Sequence, residues 1–272
     1  MALLLISRGS FSGSQLIRQC LCETADFKCL TREDLVAVVN TRGEIANRIV
    51  ASIEKATENY AKFTAQRRPY EILMRLALLE YVRRGNVAYF GYSGHLLLPH
   101  VAHAARVRII APPQMRIALL MEREKLTHEQ ARERIRQDDQ ERGRWARFMY
   151  GKNLSDPAMF DLCINLERIS FPTASAMLAD IAEQKEFKPT PESLAAVENS
   201  YLCARVLAAL LDNAKTLELE VGATAQDGRM VLEGPYLDDP ERSTVIEIAR
   251  AVPGVAEVQY REGYAPLFDM LS

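Results

Sequence analysis

Leu3-Leu4-Leu5-Ile6-Ser7-Arg8-Gly9-Ser10-Phe11-Ser12-Gly13-Ser14-Gln15-Leu16-Ile17 passes from a short apolar run through a Gly/Ser loop into an apolar helical pattern. A strand feeding a glycine-containing turn into a helix start aims several backbone N–H groups, and the positive end of the helix dipole, at one point where an anion is stabilised. The loop departs from the pattern Gly-x-x-x-x-Gly-Lys-Ser/Thr: Gly9 and Gly13 stand four apart, and no lysine is present in the loop to reach a terminal phosphate. The expectation is a cradle of main-chain amides that lacks its ammonium group.

Outward from that stretch, apolar strand-like runs alternate with helical patterns up to about residue 186. Leu3 to Ile6 reads as the first strand, and Asn86 to Phe90, Val107 to Ile110 and Asp161 to Ile164 read as later ones. Among the intervening helices the clearest carries Ile45, Ile49, Ile53, Ala56, Tyr60 and Phe63 on one face. Continuous apolar strands separated by helices imply a parallel sheet covered on both sides, with ligands at the carboxyl ends of its strands. The loop after the first strand sits at such an end.

The chain is 272 residues long, 48% hydrophobic and 26% charged, enough for one large core or one large and one small. Its net charge of −2 hides an asymmetry. Residues 1–171 carry 26 lysines and arginines against 19 acids, and 172–272 carry 8 against 17. A basic first part suits a phosphate-bearing ligand and equally an ordinary solvated surface. No export signal is read at the amino end, and no apolar stretch is read as approaching the roughly 18 residues of a membrane span, so the expected setting is cytoplasmic. Cys20, Cys22, Cys29, Cys163 and Cys203 lack metal-ligand spacing and read as buried or reduced thiols. His95, His100 and His103 read as surface or packing histidines, because no nearby carboxylate or cysteine completes a metal site.

Thr127-His128-Glu129-Gln130 is a capping box opening a helix to about Tyr150. The stripe Ala131, Ile135, Asp138/Asp139, Arg142, Trp145/Ala146, Met149 is apolar except for its charged middle. Two readings stand. Asp139 and Arg142 can form a local i,i+3 ion pair. Alternatively the helix is a lid whose arginines, Arg132, Arg134, Arg136, Arg142 and Arg144, close over a triphosphate, because guanidinium forks suit phosphoryl oxygens. Its acidic residues dilute any basic patch for nucleic acid.

Ser7-Arg8-Gly9 through Gly13, Asn86-Val87-Ala88-Tyr89-Phe90-Gly91-Tyr92-Ser93-Gly94, Ala111-Pro112-Pro113-Gln114-Met115-Arg116-Ile117 with Met121-Glu122-Arg123-Glu124, Asp139-Gln140-Glu141-Arg142, Tyr150-Gly151-Lys152-Asn153 and Phe160-Asp161-Leu162-Cys163-Ile164-Asn165 recur in order over about residues 2–185. Together they resemble the cytidylate kinase-like family of P-loop nucleoside monophosphate kinases. The resemblance implies an α/β fold with a five-stranded parallel sheet and helices on both faces, and transfer of the γ-phosphoryl of ATP to a CMP-like nucleoside monophosphate with Mg²⁺. It implies phosphate binding by Arg8, Gly9, Ser10, Ser12, Gly13 and Ser14, with Ser14 also a Mg²⁺ ligand. Arg142, Asp139 and Arg136 are the catalytic candidates, and Arg32, Tyr92, Arg116 and Arg123 the candidates for substrate contact.

The chain departs from the family pattern in three places. The loop reads Phe11-Ser12-Gly13-Ser14 where a further glycine is usual, Thr31-Arg32-Glu33-Asp34-Leu35 lacks the first aspartate of an Asp-Lys-Glu-Leu segment, and Gly91-Tyr92-Ser93 replaces Gly-Arg-Gly. A tyrosine cannot replace an arginine's charge. Cradle and lid features thus survive better than acceptor features, and a catalytically weak or inactive nucleotide sensor is the alternative function.

The charged, proline-bearing stretch Lys185 to Glu192 marks a junction, and Ser193 to Leu211 reads as a helix packed through Ala195, Leu202, Val206, Ala209 and Leu210. Leu217, Leu219 and Val221 alternate like a strand, Asp227-Gly228 is a hairpin turn, Met230 and Leu232 lie on the return strand, Asp239-Pro240 opens a helix, and Val255 to Tyr260 is a last strand. Asp227-Gly228-Arg229-Met230-Val231-Leu232-Glu233-Gly234 and Ala249-Arg250-Ala251-Val252-Pro253-Gly254-Val255 are similar to a BON domain, a small binding module. The expected division is a kinase-like domain over 1–186, a linker helix over 187–212 and a BON-like domain over 213–272, the last making an intramolecular or protein contact rather than meeting a lipid surface.

Overall fold

A computed structural model describes residues 1–55 and 63–263. The strands are β1 (Leu3–Arg8), β2 (Lys28–Thr31), β3 (Val87–Gly91), β4 (Ala104–Ile110), β5 (Leu162–Asn165), β6 (Gly222–Gln226), β7 (Arg229–Gly234) and β8 (Glu257–Glu262). The helices are α1 (Ser14–Thr24), α2 (Arg32–Asn40), α3 (Glu44–Lys55), α4 (Thr64–Val82), α5 (Gly94–Leu97), α6 (Pro113–Glu124), α7 (His128–Tyr150), α8 (Phe171–Ala182), α9 (Pro191–Leu211) and α10 (Asp239–Ala251). The described residues form two compact units, one of residues 1–32, 84–98 and 102–190, the other of those within 33–83, 99–101 and 191–263.

The first unit is built on a five-stranded sheet of order β2-β3-β1-β4-β5, parallel at every pairing. Leu3, Leu4, Leu5 and Ile6 are all buried, so β1 is covered on both of its faces, as a central parallel strand must be. Leu4 and Ile6 join Phe90, Val107 and Ile109 in a core closed by Ile17 and Leu21 of α1 and by Ala174 and Leu178 of α8. From β1 the chain crosses to β2 and β3 on one side and later to β4 and β5 on the other. The crevice at the carboxyl end of β1 is therefore the topological switch point where ligands of such sheets sit.

A second, smaller core explains the interrupted stripe of α7. Ala131 and Ile135 pack on Ile117 and Leu120 of α6, while Ala146, Met149 and Tyr150 are buried at the other end of the helix. The charged middle lies between two apolar anchors. Thr127 caps α7 with the expected reciprocal bonds to Gln130, and Gly151 ends it in the left-handed region.

Cys22 and Cys29 correct the reading of free thiols: they are joined as a disulfide with Cα atoms 6.2 Å apart. The pairing depends on α1 returning alongside β2, which spacing alone does not reveal. Cys203 is buried as expected, and burial pushes its thiol up to about 12. Among the described residues no cluster of histidines, cysteines and carboxylates could hold a metal, and residues 98–103 form turns rather than a helix, so His100 and His103 never stand as an i,i+3 helical pair.

In the second unit α9 packs on α4, β6 and α10. Its buried face is broader than the stripe read from sequence. Val197, Cys203, Ala204, Leu207 and Ala208 are buried and Ala195 is exposed, because neighbours surround the helix on several sides. The stretch Lys185–Leu211 is, by length and composition alone, apolar enough to cross a membrane, contrary to the sequence expectation, and half of its apolar 18-residue window is buried inside the protein. Ile49 and Ile53 of α3 are buried as predicted; Ala56 and Tyr60 lie outside the described residues.

The three-stranded sheet runs β6-β7-β8, antiparallel then parallel, with α10 as the crossover. Asp227 and Gly228 both have positive φ, 51° and 81°, the two-residue type I′ turn that twists with its strands. Leu217 and Leu219 are not in a strand. The Asn213 side chain accepts from the Lys215 amide, and the Thr216 hydroxyl donates to Leu210 O at 2.6 Å, which folds the segment into turns and delays β6 to Gly222.

Candidate functional site

The loop leaving β1 is held in a shape few residues adopt. Phe11 has φ 54° and Gly13 φ 78°, both left-handed. The Phe11 ring packs against the core between α6 and α7, with the Arg123 guanidinium 4.9 Å from its centre, which is what sustains the strained conformation. Gly13 is the N-cap of α1 and its carbonyl accepts from Leu16 N at 2.9 Å, so the first two amides of that helix, those of Ser14 and Gln15, have no acceptor within it. Gly9 does not contribute its amide to such a cradle, because it donates to Ile109 O at 3.1 Å.

Three side chains tie the loop to the helices above it. Ser10 Oγ donates to Asp139 Oδ1 at 2.7 Å, Arg116 Nη2 reaches both Asp139 oxygens at 2.7 and 2.8 Å, and Arg116 Nε donates to Ser10 O at 2.7 Å. Asp139 thus pairs with α6 and the loop, and the i,i+3 ion pair with Arg142 is not formed. Arg142 instead donates to Arg8 O at 3.3 Å and lies 5.5 Å from the centre of the Tyr92 ring. Burial holds the Arg142 guanidinium below, and the Tyr92 phenol above, their ordinary ranges.

A cleft of about 450 Å³ opens beside the loop, lined by Arg8, Phe11, Ser12, Gly13, Ser14, Arg123 and Arg142 among others. Ser12 is 1% exposed and its hydroxyl has no hydrogen-bond partner among the described residues. A buried hydroxyl left unpaired costs about 1–3 kcal/mol, a cost that a ligand oxygen in the cleft would relieve. The cleft combines that hydroxyl, the start of α1 and three arginines, a donor set that fits a polyphosphate. Its lining carboxylate among the described residues is Glu122.

The remaining predicted residues fall elsewhere. Arg136 is exposed on the outer face of α7, where Glu133 takes its Nε and Nη2 at 2.8 and 2.6 Å. Arg32 begins α2 and does not line the cleft. Arg108 was missed. It is 9% exposed on β4, and its Nη1 donates to Ser7 Oγ at 2.9 Å.

His95, on α5, is 4% exposed, its ring is tilted against Phe160 at 4.7 Å, and neither ring nitrogen has a hydrogen-bond partner among the described residues. Burial, with Arg106 and Arg108 nearby, lowers its pKa from 6.5 to about 4. The unfolded chain takes up a proton in that interval and the fold does not, so stability falls as pH drops from 6.5 to 4, by about 3 kcal/mol in all. His95→Leu removes both unpaired nitrogens while keeping the ring contact apolar. Its melting temperature at pH 7 is expected to equal or exceed the parent's, and the decline between pH 6.5 and 4 to flatten; an unchanged slope would assign the acid sensitivity to other groups.

Fold and loop together define a P-loop kinase-like α/β protein. An uncharacterized protein from Eubacterium ventriosum has a similar structure, at 15% sequence identity and a TM-score of 0.50 over 68% of this chain and 100% of that one. The TT1252 protein from Thermus thermophilus is similar at 15% identity and a TM-score of 0.45, over 68% of this chain and 98% of that one. No curated protein matches the chain significantly. Residues 6–168, more than half of the sequence, match the cytidylate kinase-like family, and the chain belongs to it.

Proposed function

We propose that the cleft binds ATP and that the protein transfers its γ-phosphoryl group to a nucleoside monophosphate of the CMP type. The observation that carries this reading is the unpaired Ser12 hydroxyl, buried in a strained loop among arginines that line the cleft. An acceptor phosphate oxygen forms the new P–O bond as the bond from the γ-phosphorus to ADP breaks, and negative charge spreads over the transferred group. Arg142 and Arg123 supply positive charge there in place of the missing lysine, and Ser12 and the first amides of α1 hold the phosphates. Asp139 acts on position rather than on substrate: with Arg116 it fixes the loop through Ser10. Ser14 and phosphate oxygens would hold Mg²⁺, which when bound neutralises phosphate charge.

An ADP-release assay with CMP, UMP, AMP and dCMP, beside calorimetric ATP binding, tests the reading. ADP release that depends on one of these acceptors is the expected result. Binding without turnover would replace the enzyme by a nucleotide sensor, a reading favoured by Tyr92 standing where the family has arginine. No binding of ATP with magnesium would overturn both. The hairpin, α10 and β8 support a BON-like reading of the last segment, for which we propose a protein or intramolecular contact.

A further inference from the structure

Ser7, on the central strand, is paired in register with Gly91 on one side and with Arg108 on the other. Gly91, Ser7 and Arg108 therefore form one row across three strands at the carboxyl end of the sheet. Ser7 Oγ accepts from Arg108 Nη1 at 2.9 Å and donates to Tyr92 O at 3.0 Å, so one hydroxyl links the arginine to the residue that follows Gly91. That residue is Tyr92. Its ring faces a second guanidinium, that of Arg142.

The neighbouring strand arginine shows what a structural guanidinium looks like in this protein. Arg106, two residues earlier on β4, is held by Asp161 through Nη2 at 2.6 Å and Nε at 3.0 Å. Arg108 has no such partner: among the described residues it meets a hydroxyl and the Phe160 ring, 5.6 Å away, while being buried. Arg142 likewise ends on a carbonyl and a ring. The carboxylate within electrostatic reach of both, Asp139, spends both oxygens on Arg116, and Asp138, which acts on Arg142 alone, is bridged to Arg134 at 3.3 Å. A buried guanidinium that no carboxylate hydrogen-bonds is unfavourable, and two that repel each other more so, unless an anion completes them.

We infer that Arg108 and Arg142 form a receptor for a phosphate monoester dianion, the phosphate of the acceptor nucleotide. Two guanidinium groups beside one dianion give charge-assisted, directional hydrogen bonds that a tyrosine cannot supply. Identifying the anion as the acceptor's phosphate rests on the function proposed above; the receptor itself does not.

The test compares the full chain with Arg108→Met, which keeps length and packing, and Arg108→Lys, which keeps charge without the fork. Calorimetry with CMP and with ATP is expected to show CMP affinity falling about 30-fold or more in Arg108→Met and less in Arg108→Lys, with ATP affinity within about threefold of the parent. Unchanged CMP affinity, or equal losses for CMP and ATP, would overturn the assignment. In parallel, millimolar inorganic phosphate at constant ionic strength should raise the melting temperature of the parent and not that of Arg108→Met. If phosphate stabilises in an Arg108-dependent way while neither nucleotide binds, the receptor stands and the kinase reading fails. If phosphate stabilises both proteins equally, or neither, the receptor is rejected.

Discussion

Arg142→Ala is expected to lower the rate of phosphoryl transfer by about 10³-fold or more while leaving ATP affinity within about tenfold. The guanidinium sits on α7 at the point where that helix turns charged, reaching over the loop to Arg8 O and flanked by the Tyr92 ring. The loop has no lysine, so in the proposed reaction no ammonium group follows the γ-phosphate as charge builds on it. The contribution of a positioned arginine is realised mainly in the transition state, which is why rate and ground-state binding should separate. Arg142→Lys should recover only part of the loss, because an ammonium lacks the planar fork. Arg136→Ala is the control: on the outer face of α7 and paired with Glu133, it should leave turnover and affinity near the parent values. A loss of less than tenfold in Arg142→Ala, measured as ADP release at saturating ATP, would remove this residue from the chemistry.

The parts of this site that local sequence could announce were those whose cause is local. Four apolar residues followed by Gly9 and Gly13 specify a buried strand and a loop that only a left-handed residue can close, and Thr127 with Gln130 specifies the start of α7. The charged middle of that helix, Asp139 and Arg142, is legible as an interruption of an apolar stripe, which leaves a local ion pair and a lid both open. Whether the two pair with each other was not local: Arg116 arrives from α6 and claims the carboxylate. Arg108 was invisible for the same reason. On an alternating strand it is indistinguishable from Arg106, and only the three-dimensional placing of Asp161 beside one and Ser7 beside the other separates a structural arginine from an uncompensated one. The Cys22–Cys29 bond and the turn through Asn213 and Thr216 likewise follow from contacts that periodicity does not contain.

Gly13→Ala is expected to abolish detectable polyphosphate binding and to destabilise the first unit by more than the conformational cost alone. Any L side chain at φ 78° incurs about 1–2 kcal/mol, since its Cβ crowds the backbone. At Gly13 the added Cβ would also stand 2.7 Å from Phe171 Cε1 and 3.2 Å from Leu119 Cδ1, closer than van der Waals contact permits. Relief requires either the α8 ring or the loop to move, and moving the loop displaces the Ser12 hydroxyl and the first amides of α1 from a common focus. Gly151 separates the two effects. It has φ 62° in open space at the end of α7, so Gly151→Ala bears the backbone strain without the collision. Thermal unfolding should rank Gly13→Ala below Gly151→Ala by several degrees, at about 2–4 °C per kcal/mol for a protein of this size, and calorimetry with ATP and magnesium should register heat for Gly151→Ala alone. Equal melting temperatures and equal heats would mean that the loop tolerates a methyl group at its apex, and that the cradle is not held by the packing of Phe171 against it.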